Sequence, residues 1–298
     1  MQPREQEHAS CECGGVGDSR RNLRLTGLCV LAYLSAGSDV RKGGFRKVVT
    51  QAVKWLRTQQ DYASGRFRGC TVHGHSIATL ALLECYRRTG SPTIKATCEK
   101  GLGYLNQAPS GFHGWQTYPT VLRDYPGTAS PWIALLVPIA NHVGLSPSEW
   151  LRTGSERWVH SVLEPGALSH GHFATAGALL TQLTILFEQS EQVPEENAAT
   201  FALLQHLPAW DPADSKLDLE SWYLATCVFY QLGRPHWPVW RRAMAQTVLD
   251  GQRSDGHLAG SWDPVGVDRF RGGRVHSTAM MVLCLAATLG LDGVLGAW

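Results

Sequence analysis

Long apolar runs are missing from this chain. The longest, Phe173–Phe187, is interrupted by Thr and Gln and is too short to cross a bilayer. The opening stretch, MQPREQEHASCECGG, has no apolar signal core. An excess of one charge is missing too, with 27 Lys plus Arg against 25 Asp plus Glu. No basic tract interleaves with aromatics, which excludes the dense positive footprint that a nucleic-acid partner requires. Alternating apolar and polar runs are nearly absent, so a sheet is not expected. No Pro/Ser-rich linker divides the 298 residues. Eight cysteines are present, but several sit in apolar helical runs, where a thiol acts as a small hydrophobe. We read no disulfide framework and a soluble, cytoplasmic chain. Cys11-x-Cys13 has no further metal ligands nearby.

What the sequence has instead is a repeat. Six segments rich in Ala and Leu recur: Leu25–Ala36, Ser76–Tyr86, Pro131–Val143, Ala174–Phe187, Trp222–Leu232 and Ser277–Leu289. Five are followed closely by glycine, at Gly37, Gly90, Gly144, Gly233 and Gly290, as helix ends favour. More polar segments with a single apolar stripe lie between them. Val49, Val53 and Leu56 form one stripe; Ile94, Cys98, Leu102 and Leu105 form another; Trp240, Met244 and Val248 a third. A helix apolar all round is buried, and a striped one lies outside it. The pattern predicts an all-α chain of six inner and five to six outer helices, over residues 22–298, after a polar segment of residues 1–21. Highly apolar inner helices favour closure into a barrel of two concentric rings over an open solenoid with polar caps.

The turns after the outer helices share a pattern of Gln, about three residues, Gly, then an aromatic. It occurs in QQDYASGRF (Gln59–Phe67), QAPSGFHGW (Gln107–Trp115) and GQRSDGHLAGSW (Gly251–Trp262). The Gln can bond polar groups left open at helix ends, the Gly permits the reversal, and the aromatic covers the junction. The last loop does not fit a calcium site, because its twelfth position is Ser261 where a Glu is needed.

This pattern resembles the QW repeat of the squalene–hopene cyclase and protein prenyltransferase superfamily. CECGGVG, HSIATLALLECY, WYLATCVFYQLG, AGSWDP and GGRVHSTAMMVL look like the bacterial prenyltransferase/squalene-oxidase repeat proteins. The resemblance implies a single α/α toroid with a central cavity for a hydrophobic, isoprenoid-like ligand. It also implies where chemistry would lie. The cyclases use a D-x-D-D-T-A acid; the nearest stretch is DYPGTA, where Asp124 keeps the first position but Pro126 and Gly127 replace the middle carboxylates. Alkene protonation is therefore disfavoured, and Asp124 reads rather as a helix-start acid that caps exposed amides. The prenyltransferases hold zinc through an Asp-x-Cys pair and a His. Here Asp218 and His276 match, while Glu220 stands in the Cys slot. Zinc accepts a carboxylate, but thiol activation is then in doubt. The resemblance thus gives Asp218, Glu220 and His276 as metal or acid–base candidates, with zinc as the candidate cofactor. Alternatively, Asp218 and Glu220 cap a helix and His276 is a hydrogen-bonded core residue.

Inner helices of a toroid begin at one end. Their starts would gather His73, His75, Asp124, His170, His172, Arg274 and the three candidates above around one mouth, a ring of titratable groups at a cavity. Trp222, Tyr223 and Trp132 would line an apolar wall or pack as core. The partner is expected to be a hydrophobic small molecule. The competing reading is a non-catalytic toroid that takes a protein or peptide at its mouth.

Overall fold

The inner segments become helices because their apolar runs span several helical turns and five of the six are followed by a glycine stop, with Pro138 accommodated inside the third. The computed structural model describes residues 15, 17–108, 110–111, 114–115, 129–164, 171–188 and 198–291. Among these, eleven α-helices form. The odd-numbered ones are α1 (Asn22–Ser35), α3 (Val72–Thr89), α5 (Ser130–His142), α7 (Gly171–Glu188), α9 (Leu219–Leu232) and α11 (Gly273–Thr288). They coincide with the six apolar segments. The even-numbered ones are α2 (Arg46–Thr58), α4 (Pro92–Leu105), α6 (Glu149–Leu163), α8 (Ala198–Leu204) and α10 (His236–Gly251). The five glycines expected at helix ends all have positive φ, from 63° to 82°, the conformation that side chains resist. No described helix is long and apolar enough to cross a membrane.

Burial separates the two sets of helices as the periodicity predicts. In α3 every residue from Val72 to Cys85 is buried, and in α9 every residue from Leu219 to Phe229. In α2 only Val49, Val53 and Leu56 are. Each odd helix packs on the next odd helix, from α1 to α11, and α11 packs in turn on α1. Each even helix packs on the odd helix before it.

The three Gln/Gly/aromatic turns each fold back as an antiparallel pairing: Gln60 with Phe67, Ser110 with Trp115 (strands β1, Ser110–Gly111, and β2, Gly114–Trp115), and Gln252 with Trp262. The aromatics are fully buried. In each case the aromatic's backbone N–H reaches a side chain near the start of the following odd helix. Phe67 donates to His75 Nδ1 at 3.4 Å, Trp115 to Ser130 Oγ at 2.9 Å and Trp262 to Thr278 Oγ1 at 3.3 Å. The glutamines do different work. Gln60 Nε2 donates to the Thr97 carbonyl of α4 and to Gly65 within its own turn, both at 3.0 Å. Among the described residues, Gln252 Nε2 reaches only Gly260, at 3.1 Å, within its own loop.

The cysteines behave as small hydrophobes. Cys85, Cys98, Cys227 and Cys284 are free and buried, and burial pushes the Cys227 thiol up to about 12. Cys11 and Cys13 lie outside the described residues.

Candidate functional site

Charge is buried where five odd helices begin. Arg24 is the third residue of α1, His73 the second of α3, Trp132 the third of α5, Glu220 the second of α9 and His276 the fourth of α11. Asp268 ends a short 3-10 turn, Gly266–Asp268, on the approach to α11. Gly272, just before α11, makes room for the cluster, since a Cβ there would stand 2.3 Å from His276 Cβ.

Glu220 is the hub. Its Oε2 accepts from Trp132 Nε1 at 2.7 Å and lies 3.1 Å from His73 Nε2. Its Oε1 accepts from Arg24 Nη2 and lies 3.5 Å from His276 Nε2. Arg24 also grips Asp268 with two bonds, Nη1 to Oδ1 at 3.0 Å and Nη2 to Oδ2 at 2.6 Å. Arg24, Glu220 and His276 are 4%, 3% and 1% exposed, so these pairs form away from water. The Arg24 guanidinium overcomes the cost of burial for both carboxylates. It holds Glu220 well below the usual carboxylate range and Asp268 at about 2. Glu220 and Asp268 are therefore ionised at neutral pH.

The sequence-derived residues divide around this centre. Glu220, His276 and His73 come together. Asp218 does not join them. Its backbone is extended at the N-cap of α9, so its side chain turns back to accept from the N–H groups of Glu220 and Ser221, each at 3.1 Å. His75 and Arg274 point away from the cluster because each lies two residues from a cluster member, about 200° round the helix. His75 sits between Phe67 and Tyr104 and lies 2.9 Å from the Gly101 carbonyl, with burial lowering it to about 4, so it is neutral. Arg274 pairs with Asp263 at 2.5 Å and Ser261 at 3.3 Å. Tyr223 is buried and stacks on Trp132, ring centres 6.3 Å apart. Asp124 and His170 lie outside the described residues. Arg24 and Asp268 escaped the sequence reading. Arg24 had a signal, as the only charge in an otherwise apolar helix. Asp268 had none.

The zinc that the resemblance implies was expected on Asp218, Glu220 and His276. The compact triad is instead Glu220, Asp268 and His276, whose ligand-type atoms lie within 4.8 Å of one another. As they stand these residues do not fit an ion, because Arg24 Nη2 occupies the centre between them.

Beside the cluster lies a cleft of about 830 Å3 between the starts of α7 and α9, roofed by α8 and the residues after it. Phe173, Leu203, Leu207, Leu217, Trp222 and Trp240 give it apolar walls. His172, His206, Asp211, Asp214, Lys216 and Asp218 give it polar ones. The His172 and His206 rings touch at a tilt of 42°, with centres 4.1 Å apart. Burial and the neighbouring Glu220 charge push Asp218 up to about 6. A carboxyl of that kind can donate a hydrogen bond or a proton near neutrality.

The Asp218 shift has a consequence for stability. A folded-state value raised from 3.8 to about 6 means that ionised Asp218 disfavours the fold. That penalty is absent below pH 4, grows between pH 4 and 6 and is complete above it. Asn can keep the cap without the charge. Asp218→Asn is thus expected to stabilise the chain at pH 8 by about 2 kcal/mol and not at pH 4. Urea unfolding at the two pH values checks this, and an equal effect at both would refute it.

No family model matches the chain, and no curated protein does. Among solved structures it is similar to one described as a novel α-amylase from Clostridium perfringens. The two share 11% identity at a TM-score of 0.56, over 89% of this chain and 86% of that one. At this identity the likeness is one of fold.

Proposed function

We propose that the chain is an α/α toroid that binds an amphipathic, isoprenoid-like ligand at the N-terminal mouth of its inner helices. The toroid reading is supported by the return of the odd-helix contacts from α11 to α1. The ligand reading is supported chiefly by the cleft beside Asp218. The cleft's volume suits a small molecule, and its walls are apolar with a few convergent polar groups. The ligand's apolar body lies against Trp222, Leu203 and Leu207, and its polar end meets Asp218. Asp211, Asp214 and Asp218 outnumber Lys216, so an uncharged or cationic end is preferred over a diphosphate. The continuous burial of α3 and α9 also favours this cleft over the ring axis as the place for the ligand. Asp218 is the group that would hand over a proton if the ligand is transformed.

A second reading is favoured by the fold neighbour, an α-amylase. Carboxylates beside a Trp would then receive a saccharide. Quenching of tryptophan emission separates the two readings. Farnesol is expected to bind saturably, farnesyl diphosphate more weakly, and Leu207→Asp to weaken farnesol about tenfold. Saturable binding of maltoheptaose with none of farnesol would overturn the isoprenoid reading and support the saccharide.

A further inference from the structure

Three side chains at the mouth have the donor set and the spacing of a metal site, yet hold an arginine. A tetrahedral ion with bonds of about 2.1 Å keeps its ligand atoms about 3.4 Å apart. His276 Nε2 lies 3.5 Å from Glu220 Oε1 and 3.7 Å from Asp268 Oδ2, so two of the three edges already match. One nitrogen of the chain, Arg24 Nη2, stands where that ion would. It lies 2.6 Å from Asp268 Oδ2 and 3.1 Å from His276 Nε2, and it donates to Glu220 Oε1.

We propose that Arg24 is a resident cation in place of a metal ion, and that the Glu220–Asp268–His276 triad is a divalent-cation site which shortening Arg24 would open. The chemistry of the site supports this. Two buried carboxylates facing each other need a positive charge between them, and a guanidinium or an ion supplies it equally well in kind. They differ in what they allow. A guanidinium only donates hydrogen bonds and offers no open coordination position, whereas an ion on three protein ligands keeps a fourth for water or substrate. The chain has therefore fixed its electrostatic centre as a structural joint between α1, α9 and the approach to α11. Proton chemistry is left to the neighbouring cleft. The proposal is independent of what that cleft binds.

Cobalt(II) titration followed by its visible ligand-field absorption tests it. Wild type should show no saturable, His276-dependent spectrum. Arg24→Ala should take up one cobalt per chain, and adding His276→Ala should abolish the uptake. Without its cation Arg24→Ala can be unstable, and then cobalt should raise its melting temperature with concentration, as a ligand specific to the folded state does. Arg24→Gln, which keeps amide donors but no charge, is the second variant and should behave in the same direction. Stoichiometric, His276-dependent cobalt on wild type would overturn the proposal. So would folded Arg24 variants that take up no cobalt, or unfolded ones that cobalt fails to rescue.

Discussion

Glu220→Ala is expected to lower the unfolding free energy by about 3–5 kcal/mol, the range found when one partner of a buried ion pair is removed. The size follows from what is left behind. Arg24 remains 4% exposed with Asp268 as its remaining carboxylate. Trp132 Nε1 and His73 Nε2 lose their partner in a region closed to water. The loss falls at one joint, because Glu220 ties α9 to α1, α3 and α5 at once. Glu220→Gln keeps the shape and an acceptor but not the charge, and should fall between wild type and Glu220→Ala. Acid should act like the mutation. Glu220 and Asp268 are held below their ordinary values, so their stabilisation is complete above about pH 4.5 and is lost as pH falls through their folded values, about 2 for Asp268. Wild type should therefore lose stability steeply between pH 4 and 2, and Glu220→Ala less steeply. Urea unfolding across that range checks both statements. A change below about 1 kcal/mol at pH 7 would mean that the cluster is hydrated and contributes as little as a surface pair.

The helices were legible in the sequence, whereas the joint that closes them was not. Periodicity marks which face of a segment is buried. It found the stripe Val49–Val53–Leu56 residue for residue, and Trp240, Met244 and Val248 are buried with Thr247 and Gly251 beside them. Two helical steps, about 200°, also separate His73 from His75 and His276 from Arg274, so one member of each pair, two of the nine titratable groups expected around the mouth, could have been set aside in advance. What periodicity cannot give is the partner of a buried charge. Arg24 meets Glu220 across 196 positions, Asp268 across 244 and His276 across 252. These contacts exist because α1 packs on α11, beside the start of α9. Asp218 was legible in one role, that of cap, because an Asp before an apolar helix start has a local reason to be there. Its raised carboxyl was not, because that depends on the Glu220 charge and on burial.

Trp262→Ala is expected to cost about 3–5 kcal/mol, the range for truncating a buried aromatic. Three links are lost together. The indole is 1% exposed, so a large cavity opens between α10 and α11. Its Nε1 no longer donates to the Val248 carbonyl at 2.9 Å, which leaves an acceptor near the end of α10 unpaired. The pairing of residue 262 with Gln252 and the bond from its backbone to Thr278 lose the side chain that anchors them. Trp262→Phe should cost only about 1–2 kcal/mol, since an aromatic fills most of the space and the lost bond is of that order. Phe67 occupies the equivalent place in the first turn, so a buried phenylalanine is compatible with this kind of turn. Gln252→Ala should cost under about 1 kcal/mol, because its side chain bonds only within its own exposed loop. Gln60→Ala should cost more than Gln252→Ala, because Gln60 also holds the Thr97 carbonyl of a neighbouring helix. Chemical denaturation of the four variants gives the order directly. If Gln252→Ala costs as much as Trp262→Ala, the turn works through its amide. The expected order instead makes the buried aromatic the clasp and the glutamine a local brace, with cross-helix force only where a second carbonyl lies in reach.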